Sequence, residues 1–181
     1  YKWLIRLEDF FIKHKLILAW IMVISSIILG IYTGILLSAF NARPLWNTSI
    51  LGPLFLTSGL STGAALNIIY AKTSHEKHTF AKIDLMLIGV ELFLIIHIFM
   101  GFLASTQVQI DAANLFLGGP YTAPFWILVV FMGMVLPGLL EIMELRKYKL
   151  PVIIPALLVL IGGFLFRYIW TFAGQSSRWL Y

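Results

Sequence analysis

Long apolar runs, each about the length of a membrane-crossing helix, dominate the chain. A helix needs about 20 mostly apolar residues to cross the hydrocarbon core of a bilayer. Five such runs are present, at residues 16–40, 50–71, 83–106, 124–145 and 151–174. They are continuously apolar and lack the alternation of an outer-membrane barrel strand. The pattern predicts an all-α integral membrane helical bundle, with five transmembrane helices in a single transmembrane domain over residues 1–181.

Basic residues fall almost entirely on one side of these runs. The segments before the first run, between the second and third, and between the fourth and fifth contain Lys2, Arg6, Lys13, Lys15, Lys72, Lys77, Lys82, Arg146, Lys147 and Lys149. The opposite side has only Arg43 and Arg178. By the positive-inside rule, the start of the chain is cytoplasmic and its C-terminus external, in the cell (inner, cytoplasmic) membrane. Residues 1–15 mix aromatic and charged side chains, which indicates a cytoplasmic-side amphipathic segment or the end of an earlier element.

Composition narrows the function further. The chain is 60% hydrophobic and 12% charged, about half the charge of an ordinary soluble domain. A soluble globular fold is therefore excluded, and the expected surroundings are membrane lipid and no nucleic acid. Without cysteine the chain offers no thiolate for an iron–sulfur cluster, and His97 is the only histidine well inside a run, so a bis-histidine haem is not expected. No metal site is predicted, and redox metals would belong to partner chains.

Ionisable residues inside the runs are the clearest chemical signal, because a charge in the hydrocarbon core is costly and usually faces the bundle interior. Asp84, Glu91 and His97 lie in the third run, and Glu141 and Glu144 in the fourth. Asp84 and Glu91 are seven residues apart, so they share a helix face about 10 Å apart along the axis. Together these positions suggest a stepped proton route. The alternatives are a solvated end for Asp84 or Glu144, a loop cation paired with Glu141, and a hydrogen-bonded interior histidine.

Arg167 and Tyr32 lie in the external halves of the fifth and first runs. Arg167 either extends outward to the headgroups, pairs with a carboxylate, or orients a polar headgroup inside the bundle. Tyr32 either anchors its helix at the interface or offers its hydroxyl to a quinone carbonyl. Small and hydroxylated residues in membrane helices favour close helix packing or form a polar path. Here they are two glycine pairs, Gly30 with Gly34 and Gly59 with Gly63, and the hydroxyl residues Ser58, Ser61 and Thr62.

The two external loops and one helix break complete the predicted architecture. Residues 41–49 and 107–123 are short of charge and rich in turn formers, and the second loop is long enough for a short surface helix. Both loops suit a docking face for an external partner. Within the fourth run, Pro137 and Gly138 predict a kink.

Four blocks of sequence stand out together: Tyr-Thr-Gly at 32–34, Arg-Pro-Leu-Trp-Asn at 43–47, the stretch at 53–63, and the closing segment 162–175. These blocks resemble the NrfD/PsrC-like family, the membrane subunits of polysulfide-reductase-type complexes. Members of that family have eight helices or more and no cofactor of their own. The resemblance therefore implies that the chain is the C-terminal portion of an eight-helix subunit and supplies its last five helices.

The same resemblance implies a function. The family anchors an iron–sulfur subunit on the external face, often with a molybdopterin-type catalytic subunit, and exchanges electrons with menaquinone or ubiquinone near the outer surface. Tyr32 matches the tyrosine of the family's Tyr-Thr-Gly motif near the quinone site, and Arg167 is a second quinone-binding candidate. Glu91, His97, Asp84 and Glu141 are the proton-transfer candidates, and proton translocation is an added expectation. The alternatives are a secondary transporter or proton/ion channel, and a purely structural anchor.

Overall fold

The computed structural model describes residues 1–146 and 151–179, and all regular secondary structure in these ranges is helical. Lys147 and Lys149, two of the predicted cytoplasmic cations, lie outside the described residues. The helices are α1 Lys2–Lys13, α2 Lys15–Ser38, α3 Leu51–Tyr70, α4 Ser74–Leu103, α5 Gln107–Asn114, a π-helical segment Pro124–Val135 that continues into α6 Leu136–Leu145, and α7 Ile153–Ser176.

Four helical stretches are long and apolar enough to cross a membrane, which makes this a multi-pass membrane protein. They are α2, α4, the continuous stretch Pro124–Leu145, and α7. They match the first, third, fourth and fifth predicted runs. The second run corresponds to α3, which has 20 residues. Its glycine, serine, threonine and asparagine residues keep its hydropathy below that of the other four, so the fifth span is not established by length and composition.

Helix α3 is the centre of the bundle. It packs against α2, α4 and α7, and half of its residues are buried. Two of its hydroxyl residues, Ser58 and Ser61, are 1% and 2% exposed. Because lipid is as apolar as a protein core, the polar side chains of a membrane helix are more stable inside the bundle than outside it. The less apolar composition of α3 is therefore the consequence of its central position.

Backbone contacts between small residues set the closest helix approaches. A Cβ atom on Gly34 of α2 would lie 2.5 Å from Cα of Gly52 on α3. A Cβ atom on Gly133 of the π-helical segment would lie 2.6 Å from Cα of Gly162 on α7. The packing role predicted for the first glycine pair is confirmed at Gly34, whereas Gly63 of the second pair faces open space.

Helix α4 begins at Ser74, ahead of the predicted run at residue 83. A capping box explains this start: the Thr73 hydroxyl accepts a hydrogen bond from the amide of Glu76, and the Glu76 carboxylate accepts one from the amide of Thr73. Two amides at the helix start are thereby satisfied. With 30 residues, α4 is about 45 Å long, which exceeds the thickness of about 30 Å of a bilayer's hydrocarbon core.

The fourth run changes helix type next to the predicted kink. The π-helical segment ends at Val135, and ordinary α-helix begins at Leu136, one residue before Pro137. A proline has no amide hydrogen, so it cannot donate to the carbonyl one turn earlier. The wide π-helical segment is also where Gly133 makes its backbone contact with α7.

The remaining elements border the bundle. Helix α5 confirms the short helix predicted in the second external loop. Helix α1 covers the amphipathic segment and is exposed over residues 3–13, and α2 buries only Gly34. One side of α2 therefore contacts α3, while the rest of its surface is exposed.

Candidate functional site

Five ionisable side chains follow the interior of the bundle between α3, α4, α6 and α7, and we call this set the polar axis. Its members are Arg167, Glu91, Asp84, Glu141 and Glu144. Asp84 and Glu141 are fully buried, and Glu91 and Glu144 are 3% and 7% exposed. Burial in an apolar medium is unfavourable for each carboxylate unless a proton, a cation or hydrogen-bond donors compensate it.

The part of the axis around Asp84 joins three helices. Ser61 on α3 donates a hydrogen bond of 2.5 Å to Oδ1 of Asp84 on α4. Glu141 on α6 lies close enough to Asp84 for a carboxyl–carboxyl hydrogen bond, which requires a proton on one of the two groups. With both groups ionised, Oδ2 of Asp84 and both oxygens of Glu141 have no donor. These two carboxyls therefore form a pair suited to holding a single proton.

Glu91 occupies the middle of the axis, beside a small internal cavity. The cavity leaves about 10 Å³ to the centre of a water molecule, about the space that one water needs. It is lined by Ser58, Ser61, Thr62, Glu91, Gly133, Met134, Val159 and Gly163. Oε1 of Glu91 has no hydrogen-bond partner among the described residues. The hydroxyls from α3 thus give the cavity wall a polar character on the side toward Asp84.

Arg167 lies at the end of the axis opposite Glu144. Its Nη1 atom donates to the carbonyl oxygen of Gly163, one turn earlier on α7, at 2.9 Å. Its positive charge is close enough to Glu91 to attract the carboxylate. On the side of Arg167 that faces α3, a Cβ atom on Gly59 would lie 3.5 Å from Nη2. The second glycine motif therefore accommodates a guanidinium group beside α3.

The Glu144 end of the axis meets basic residues of the extended α4. Glu144 lies within electrostatic range of His78 and Lys77, which belong to the first turns of α4. The long start of α4 that the capping box stabilises thus places basic side chains near the last carboxyl group. The axis therefore runs from Arg167 on α7 to the basic first turns of α4.

Two predicted site residues lie away from the axis. His97 is on the exposed side of α4, where its ring packs against Phe93 with centroids 5.1 Å apart. Tyr32 is 56% exposed, because Gly34, two residues later, faces α3 and the intervening rotation turns Tyr32 away. The structure does not bring Tyr32 and Arg167 into one pocket of the described residues.

Sequence reasoning did not identify the partners within the axis. It proposed the hydroxyls of α3 as packing groups or part of a polar path, and it proposed a loop cation for Glu141. The structure instead pairs Ser61 with Asp84 and places Glu141 beside the same carboxyl. Both contacts join helices distant in sequence, so no local spacing signals them.

The loop after α2 is joined to the end of α7 by a set of hydrogen bonds, which we call the clamp. The guanidinium Nη1 of Arg43 donates to the carbonyl oxygens of Gln175 and Ser177, at 2.5 and 2.9 Å. The indole of Trp46 donates to the carbonyl oxygen of Trp170 at 3.3 Å. The sequence blocks 43–47 and 162–175, far apart along the sequence, are therefore in direct contact.

A family model described as "Polysulphide reductase, NrfD" matches residues 1–177. The chain belongs to the NrfD family. The matched range includes the two distant sequence blocks that meet in the clamp and the 53–63 stretch that contributes Ser58 and Ser61 to the lining of the cavity.

Curated relatives support the same assignment. The chain is 32% identical to Protein NrfD of Escherichia coli (strain K12) over 166 residues, covering 87% of the chain and 52% of that relative. It is 34% identical to the polysulfide reductase C-chain of Wolinella succinogenes over 159 residues, covering 81% of the chain and 50% of that relative. The chain thus spans about half the length of these relatives. No solved structure matches it.

The described residues contain no group of three or more histidine or acidic side chains placed to hold a metal ion. What the axis offers chemically is a series of buried groups that can accept, hold and pass protons between hydroxyl and carboxyl oxygens.

Proposed function

We propose that this chain is part of the membrane subunit of a respiratory oxidoreductase complex. The subunit would exchange electrons between the membrane quinone pool and an iron–sulfur subunit docked on the external face, and would move protons through the bundle. The polar axis is the observation that supports this proposal most directly. A purely structural anchor has no need for four buried carboxyl groups, whose burial is unfavourable without a compensating function.

The proposed topology has five spans, with α3 as the fifth, in a single transmembrane domain of the cytoplasmic (inner) membrane. The first residues would be cytoplasmic and the C-terminus external. Because the matched relatives are about twice as long as this chain, we propose that it supplies the last five helices of an eight-helix subunit. The clamped external ends and α5 would then form the docking face for the iron–sulfur subunit, with a molybdopterin-type catalytic subunit beyond it.

Menaquinone or ubiquinone is the proposed electron-carrying ligand. A quinone headgroup needs hydrogen-bond donors at its carbonyl oxygens and an apolar path for its tail. The guanidinium of Arg167 and the phenol of Tyr32 are such donors, although the described residues do not bring the two into one pocket. A groove between α2 and α3 is lined by Ser26, Leu29, Gly30, Leu56, Gly59 and Leu60. Gly59 in its wall also borders the guanidinium of Arg167, and the apolar side chains of the groove suit the tail of a quinone.

When bound, a quinone supplies redox chemistry in which protons accompany electrons. We propose that Glu91 accepts or donates the proton nearest the ligand, under the influence of the Arg167 charge. The cavity beside Glu91 would connect it to Ser61, and the pair of Asp84 and Glu141 would continue the route toward Glu144 and the cytoplasm. His97 lies on the exposed side of α4 and would join this route only through a group packed against that side.

The test uses the complete protein in its detergent-solubilised complex. Co-purifying subunits are identified by mass spectrometry, and reduction of their iron–sulfur centres by added quinol is followed spectroscopically. We expect Tyr32→Phe to slow this reduction and Glu91→Gln to impair the accompanying proton movement. Tyr168→Phe is the matched control, because Tyr168 is similarly exposed on α7 and packs on Phe172. Unchanged quinol reactivity and proton movement in both variants would refute the site assignment.

The buried carboxyls also favour a second candidate, a secondary transporter or proton channel. That function predicts proton or solute flux in vesicles containing the protein alone, without redox partners. A complex that keeps its iron–sulfur partner but shows no response to quinol would instead favour a structural anchor.

A further inference from the structure

We propose that Ser61 is a positioning residue that decides which member of the Asp84–Glu141 pair holds the proton. Its hydroxyl stabilises Asp84 in the ionised form, so the shared proton resides on Glu141 when the route is at rest. This inference rests on the proposed proton route, and it names the site at which that route stores its proton.

The geometry of the pair distinguishes its two members. Oδ1 of Asp84 accepts a hydrogen bond from Ser61, whereas neither oxygen of Glu141 has a donor among the described residues. A hydrogen bond to a charged group is stronger than one to a neutral group. The donor therefore stabilises the negative charge on Asp84, and nothing equivalent stabilises it on Glu141.

A proton held between the two carboxyls gives a partner to two of the three unpaired atoms, because the protonated group donates to the other. Since Ser61 already donates to Asp84, the arrangement that keeps Asp84 ionised is the one in which Glu141 donates to Oδ2 of Asp84. The contact between α4 and α6 holds the pair in place. A Cβ atom on Gly138, one turn before Glu141, would lie 3.6 Å from Cδ1 of Leu85, the residue after Asp84. This close approach keeps the two carboxyls adjacent.

The surrounding charges do not reverse the assignment. Glu91 and Glu144 are carboxyls on either side of the pair, and their repulsion disfavours ionisation of both members together. Arg167 acts on Glu91 from one end of the axis, and Lys77 and His78 act on Glu144 at the other end. Among these groups, only Ser61 donates a hydrogen bond to the pair in the structure.

Infrared difference spectroscopy of the complete protein in lipid nanodiscs tests the proposal. Subtracting the spectrum of Glu141→Gln from that of the wild type should reveal the C=O band of a protonated carboxyl. The band should shift when the protein is labelled with ¹³C-glutamate and should not shift with ¹³C-aspartate. In Ser61→Ala, a share of the protonated-carboxyl signal should become sensitive to ¹³C-aspartate. We expect the Glu-to-Asp ratio of the band to fall roughly tenfold or more, as loss of a hydrogen bond to a charged group implies.

Thr57→Val is the matched control, because Thr57 lies one turn earlier on α3 and its hydroxyl donates within its own helix, to the carbonyl of Pro53 at 2.8 Å. The protonated-carboxyl band of Thr57→Val should remain sensitive to ¹³C-glutamate and insensitive to ¹³C-aspartate. If Glu141→Gln does not fold, the difference between the unlabelled and the ¹³C-glutamate-labelled wild type reveals the band instead, and Asp84→Asn should retain this glutamate-sensitive band.

Two results would overturn the proposal. The first is the absence of any protonated-carboxyl band assigned to the pair. A cation bound between two ionised carboxylates would give this result. The second is an unchanged label sensitivity in Ser61→Ala. Neither result depends on quinol reactivity, so failure of this inference is distinguishable from failure of the proposed electron-transfer function.

Discussion

Replacing Arg43 by alanine should destabilise the clamp between the loop after α2 and the end of α7. The substitution removes the two hydrogen bonds to the carbonyls of Gln175 and Ser177, which join the loop after α2 to the end of α7. Each hydrogen bond from a charged donor is worth about 1.5–3 kcal/mol. The guanidinium is half-exposed, so water replaces part of this energy and we expect a net loss of about 2–3 kcal/mol.

The assay is thermal unfolding of the complete protein in one detergent. The measured quantity is the fraction of protein that remains monodisperse after heating to each temperature. At about 2–4 °C for each kcal/mol in a domain of this size, the midpoint should fall by about 4–12 °C. Arg43→Lys keeps the charge but lacks the planar fork of donors, so it should restore only part of the loss. Arg178→Ala removes an exposed arginine near the end of α7 and should have little effect. An Arg43→Ala midpoint equal to that of the wild type would refute the reasoning.

Three further predictions address packing and capping. Gly34→Ala should cost about 1–3 kcal/mol through overpacking, since its Cβ would meet Gly52 at 2.5 Å, whereas Gly63→Ala, which meets open space, should be tolerated in the same melting assay. Gly133→Val should lower the yield of folded protein in detergent, because no side-chain rearrangement relieves a clash with the α7 backbone. Thr73→Ala should cost about 1 kcal/mol by removing the helix cap. Amide hydrogen exchange should become faster in the first turns of α4 but not in its apolar part. An equal change in exchange rate along the whole of α4 would contradict this.

The long apolar runs alone determined the all-helical fold class and the positions of four helices that are long and apolar enough to cross a membrane. In a bilayer the backbone must satisfy its own hydrogen bonds, so a run of about 20 apolar residues leaves little choice but a helix. The sequence also identified the polar candidates, because an ionisable residue in hydrocarbon is conspicuous against its neighbours. Glu91, Asp84 and Glu141 were recognisable in this way from their positions within the apolar runs.

The tertiary structure decided which of these groups meet. Sequence spacing places Asp84 and Glu91 on one face of α4, but it says nothing about which helix covers that face. Helix packing turned Ser61 and Glu141 toward Asp84 and left His97 outside. The rotation of α2, fixed by the contact of Gly34 with Gly52, likewise turned Tyr32 away from Arg167. Such rotations depend on side-chain volumes summed over several helices, and a single sequence segment does not contain them.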